Sequence, residues 1–177
     1  MKHLLPLLCI CFFLPTTLFA QKIAVNKTDE FTGIYVVKSA PARLAANMIN
    51  IISYQWGAGQ EADTLAYGLQ IDVVKTKPFF VMDNTHVYFL LQDKTVITGT
   101  AAERDLAEKG KGHGSALEGF GVEVVYVFDN FDWVSVENPV TKIRIETSDG
   151  LLDMSVKASN AAKFAKAYFL VKQTMEQ

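Results

Sequence analysis

Lys142-Ile143-Arg144-Ile145-Glu146-Thr147-Ser148-Asp149-Gly150-Leu151-Leu152-Asp153-Met154-Ser155-Val156-Lys157 is the stretch that decides the fold class. Two residue types alternate on either side of a turn. Lys142, Arg144 and Glu146 interleave with Ile143 and Ile145, and Asp153, Ser155 and Lys157 interleave with Leu152, Met154 and Val156. Successive side chains of a strand point to opposite faces, so a period of two gives each strand one polar and one apolar face. Ser148-Asp149-Gly150 turns the chain, with glycine supplying the positive φ that such turns favour. The stretch therefore predicts a half-exposed antiparallel hairpin.

The spacing changes just after it. Ala161, Phe164, Ala165, Tyr168 and Val171 form a stripe at helical spacing, with Lys163, Lys166 and Lys172 off the stripe. This predicts a helix from a Ser159 cap to about Glu176, packed against a sheet. Upstream, apolar runs at 23–25, 34–37, 68–74, 79–82 and 122–128 read as strands. Residues 47–54 are strand-like, although helical spacing also fits. Residues 39–44 hold a cap residue and an early proline, compatible with a short helix. Residues 86–91 and 95–98 flank Gln92-Asp93-Lys94 as a hairpin, and their weak alternation implies burial on both faces. Thr100-Ala101-Ala102-Glu103 has capping-box spacing, predicting a helix closed by Gly110. Residues 129–136 predict one or two helical turns, with Trp133 and Phe131 packing them onto the sheet. The sum is an α+β fold: a mostly antiparallel, twisted sheet of about seven to nine strands with a packed C-terminal helix. A bent sheet, a sandwich and a partly open barrel all fit.

The 177 residues are 50% hydrophobic and 20% charged, too apolar for a disordered chain. Met1-Lys2-His3, the apolar run 4–18 and Ala20 have the order of a secretory signal: basic start, short apolar region, small residue before the cut. Cleavage near Ala20 leaves a single domain, 21–177, in the periplasm or outside the cell. Both cysteines, Cys9 and Cys11, lie inside the signal. The mature chain then has no thiolate nucleophile, disulfide or cysteine-ligated metal. No later segment reaches spanning length, so no membrane span is expected in the mature chain. Removing Lys2 leaves 16 basic against 19 acidic residues, a net charge of −3. This balance argues against a nucleic-acid partner, which requires a basic face.

Val140 to Gly150, with the following strand and the helix start Asn160-Ala161-Ala162-Lys163-Phe164, resembles a group of small exported proteins of Bacteroidota-type bacteria. Asp29-Glu30-Phe31-Thr32-Gly33 matches an early turn of the same group. The resemblance covers about 40 C-terminal residues and that turn. It implies an exported α+β domain and carries no activity.

Motifs that carry chemistry are sparse. His86 opens a strand with no partner beside it in sequence. His113 and Lys111 lie in Lys109-Gly110-Lys111-Gly112-His113-Gly114-Ser115, where backbone N–H groups and a cation could meet phosphate, but neither phosphate-binding glycine motif is complete. Trp56 ends a strand in a glycine-rich turn, where an exposed ring could stack on a sugar or a partner chain. Asp129 with Asp132, and Glu61 with Asp63, are the nearest carboxylate pairs. Trp56, Lys111 and His113 are thus the interaction candidates, with no catalytic, cofactor or metal residues assigned. The expected function is a non-enzymatic binding or interaction domain with a protein or small-ligand partner. Two alternatives are a lipid or small-ligand carrier with a barrel-like interior and a carboxylate-based hydrolase.

Overall fold

The computed structural model describes residues 21–31, 33–45, 48–55, 65–111 and 119–177, with the backbone alone at 48–55 and 65. The N-terminal half contributes β1 (Ile23–Thr28), β2 (Tyr35–Ser39), β3 (Ala42–Arg43), β4 (Met48–Gln55), β5 (Leu65–Lys75) and β6 (Phe80–Val81). The hairpin β7 (His86–Leu91) and β8 (Val96–Ala101) follows, then the short β9 (Asp105–Leu106) and β10 (Glu108–Lys109). β11 (Phe120–Val127), β12 (Val140–Thr147), β13 (Gly150–Ser155) and helix α1 (Ala158–Met175) complete the chain.

Nine strands form one continuous path in the order β1-β2-β4-β5-β11-β8-β7-β12-β13. β3 adds to β4, β10 adds to β11, and β6 pairs with β9 as a separate ribbon. Every described pairing is antiparallel. The predicted α+β class and the C-terminal hairpin hold, with Gly150 at φ 95° in the turn.

The sheet curls around α1. At about 4.8 Å per strand, β4 and β12 would stand roughly 24 Å apart if the sheet were flat. α1, with a diameter of about 10 Å, lies against β2, β3 and β4 on one side and β12 on the other. The middle strands meet it through rings. Phe164 stacks on Phe89 of β7 and on Trp133, with centroids 6.4 and 6.0 Å apart. Tyr168 meets Tyr67 of β5 at 5.9 Å and Phe131 at 5.6 Å. Phe128 closes the cluster against Phe89, Phe131 and Trp133. Leu69, Ile71, Val73, Val87, Val122, Val124 and Ile145 complete a core without solvent exposure.

Four local expectations are corrected. Residues 100–110 are not helical. Ala101 ends β8 opposite Tyr126, and Asp105 and Leu106 pair with Val81 and Phe80. The two-strand pairing and the buried Ala101 outweigh the capping-box spacing. Gly110, at φ 79°, shapes the turn after β10 instead. Residues 129–136 form a turn: Asn130 Oδ1 accepts the Asp132 N–H, and its carbonyl accepts Trp133 Nε1–H at 3.0 Å. Trp133 and Phe131 do pack onto the sheet, but from that turn. Residues 39–44 hold the end of β2 and all of β3, because Ala42 and Arg43 pair with Ile49 and Met48. The helix starts at Ala158, one residue before the expected Ser159 cap. Its N-cap is Lys157, which makes no side-chain cap.

Candidate functional site

β7 alternates between buried Val87, Phe89 and Leu91 and half-buried His86, Tyr88 and Leu90. Its second face is therefore not buried, as weak alternation had suggested. It faces outward beside the outward faces of β8, β12 and β13. The apolar residues there are the ones that blur the pattern.

Antiparallel register arranges these outward side chains in three rows. In the first, Thr100 lies opposite His86 and Glu146 opposite Leu151, with Glu146 reaching His86. In the second, Thr98, Tyr88, Arg144 and Asp153 stand in line. In the third, Val96, Leu90, Lys142 and Ser155 do the same. A groove of about 510 Å³ lies over part of these rows, between Val96 and Leu90 at one end and Glu146 and Leu151 at the other.

Glu146 organises the first two rows. Its Oε2 accepts the His86 backbone N–H at 2.8 Å and lies 3.2 Å from His86 Nδ1. Its Oε1 accepts the Tyr88 hydroxyl at 2.8 Å. The His86 and Tyr88 rings stack, with centroids 5.9 Å apart. Burial pushes the Glu146 carboxyl upward, but the bonds from Tyr88 and His86 outweigh it and hold the pKa below the ordinary value. The same bond, donated by Tyr88, raises the Tyr88 phenol. In the middle row, Arg144 Nε and Nη2 donate to the two oxygens of Asp153 at 2.6 and 2.7 Å. This fork holds the Asp153 carboxyl below its usual range.

The face can accept hydrogen bonds, stack on a flat group and bury apolar surface. Acid–base hydrolysis by paired carboxyls needs one of the two protonated. The Glu146 and Asp153 carboxyls are both shifted downward, away from the raised value such an acid needs. Among the described residues, no group of three or more His, Cys, Asp or Glu could hold a metal ion.

Of the sequence candidates, Lys111 is engaged within the chain. Its Nζ donates to both oxygens of Asp105, at 2.8 and 3.0 Å, and those bonds raise its pKa. Asp105 Oδ2 also accepts the Glu123 N–H at 2.8 Å, so the pair fastens β9 to β11. Trp56 and His113 lie outside the described residues, as do Glu61 and Asp63. Asp129 and Asp132 are exposed around a turn. His86, read as having no partner, has one in Glu146. Tyr88, Arg144, Glu146 and Lys142 were not singled out. The available signal was the polar side of the C-terminal hairpin, which becomes a site once β7 is placed beside it. No helix among the described residues is long and apolar enough to cross a membrane. No family model matches the chain, and comparison with curated proteins and with solved structures finds no match.

Proposed function

We propose that this chain is an exported, non-enzymatic binding domain that takes its partner on the outer face of β8, β7, β12 and β13. The observation that carries the reading is the composition of that face. Val96 and Leu151 are 56% and 61% exposed at opposite sides of a two-pronged ionic pair and a carboxylate that accepts the His86 N–H and the Tyr88 hydroxyl. A solvated sheet face is ordinarily polar. Here exposed apolar groups flank fixed polar ones, a mixture that a partner covers by burying the first and bonding to the second. Export rests on the basic, apolar and small-residue order of residues 1–20.

A photo-crosslinking residue placed at Val96 or Leu151 in the producing cell tests the face. Adducts at both positions, absent from a control at Lys27 on β1, are expected. Tyr88→Ala should weaken them. Adducts at Lys27 alone would overturn the assignment. The same preparation should give a mature mass beginning at Gln21, and a chain retaining residues 1–20 would overturn export.

The second reading is a carrier with its ligand inside the curl. The Tyr67 and Tyr126 hydroxyls favour it: both are buried without a hydrogen-bond partner among the described residues. α1 and the ring cluster occupy that interior, which weighs against it. A small molecule retained in native mass spectrometry, released on denaturation and kept by a Tyr88→Ala variant would favour the interior over the face.

A further inference from the structure

Two strands end the sheet path, β1 and β13, and their edges differ. β1 has an irregular register between Ile23 and Val25 and carries Lys27. Bulges and lysines are devices that keep a sheet edge from pairing. β13 has neither. Its register with β12 runs unbroken from Gly150 opposite Thr147 to Ser155 opposite Lys142, and its sequence holds no Pro, Lys or Arg. Its far side pairs with no strand among the described residues. Such an edge is a template for another extended chain.

The side chains of β13 specify the chemistry of that chain. On the inner side, Leu152 and Met154 pack against the core and remain half-exposed. On the outer side stand Leu151 and Asp153, and the Asp153 side chain is 60% exposed even with Arg144 bound. A carboxylate offers about four lone-pair sites, and Arg144 uses two of them. β12 shows which strand satisfies this pattern: Ile143 and Ile145 face Met154 and Leu152, and Arg144 faces Asp153. We infer that β13 receives on its open edge an extended polypeptide with basic residues outward, against Asp153, and β-branched apolar residues inward, against Leu152 and Met154. The inference rests on the proposed recognition face, whose groove is lined on one side by Leu151, Asp153 and Ser155.

The probe is a capped, fluorescent peptide with the sequence of Val140–Thr147, titrated into the full chain. Saturable micromolar binding is expected. Asp153→Lys should weaken it about tenfold, with thermal unfolding showing that the variant stays folded. Backbone N-methylation at every second residue removes the hydrogen bonds of one peptide edge. Methylating one alternate set should abolish binding, and methylating the other should leave it nearly unchanged. No saturation, equal effects of the two sets, or a homodimer through β13 that the peptide does not displace would each overturn strand addition. Crosslinks at Val96 and Leu151 with no peptide binding would overturn strand addition and leave the recognition face standing. Peptide binding with crosslinks at Lys27 alone would support the edge and overturn the face.

Discussion

Gly99 faces inward on β8, and the ring of Phe128 occupies the space a Cβ would take. Gly99→Ala should therefore cost about 1–3 kcal/mol by overpacking. A lower urea midpoint with an unchanged slope is the expected result, and an unchanged midpoint would mean that Phe128 packs elsewhere. Glu146 gives the pH dependence of this scale. Its folded pKa lies below the unfolded value of about 4.3, although burial alone would raise it. A depressed carboxyl pKa stabilises the fold above the unfolded value, and that contribution is lost as pH falls through the folded value. Glu146→Gln should thus destabilise the chain near pH 7 by about 1–2 kcal/mol. The gap from the parent chain should close towards pH 3, which stability curves across pH would show. A gap constant over that range would mean that the charge of Glu146 is not what its donors recognise. None of this was legible in the sequence. His86 and Tyr88 lie 60 and 58 positions from Glu146, and only the register of β7 on β12 brings them together.

Elements whose own pattern was sufficient were legible. The C-terminal hairpin and α1 each carry an unbroken period; the hairpin forms where expected, and α1 does so apart from its first residues. Short segments were not, because their neighbours decide them. Thr100–Glu103 has the letters of a capped helix, yet Ala101 is claimed by β11, and Asp105 and Leu106 by β6. A few tenths of a kcal/mol of helix propensity per residue does not compete with that burial. The start of α1 shows the same limit. The backbone at Lys157, φ −76° and ψ 140°, suits an N-cap, but the side chain is a cation at the positive end of the helix dipole. Asn160, in the first turn, instead donates to the Leu44 carbonyl at 3.2 Å and ties the helix to the segment after β3. Lys157→Asp should supply both the missing cap and a favourable charge, raising stability by about 1 kcal/mol. The expected observation is a higher melting temperature at pH 7 that falls back when the aspartate is protonated. A rise that persists at low pH would point away from capping by the carboxylate.

For the whole molecule, the decisive feature is that one helix closes both flanks of a curled sheet. α1 touches β2, β3 and β4 on one side and β12 on the other, so neither flank keeps its core cover if the helix leaves. The sequence foretold the helix and its apolar stripe, but left a bent sheet, a sandwich and a partly open barrel all open. Curl follows from which strands are neighbours, and β5 beside β11 or β7 beside β12 joins segments dozens of residues apart. The rings of Phe89, Trp133 and Phe164 then hold α1 to β7, the neighbour of β12, while α1 itself covers β2, β3 and β4. Unfolding should therefore be a single event. Phe164, 2% exposed, is the residue to weaken. Phe164→Leu keeps the position apolar and should cost about 1–3 kcal/mol. Native-state hydrogen exchange provides the readout. If α1 locks both flanks, the protected amides of β2 and of β12 should lose the same free energy of opening. If the flanks are independent units, only the amides of β12, next to Phe89, should lose protection, while those of β2 keep theirs.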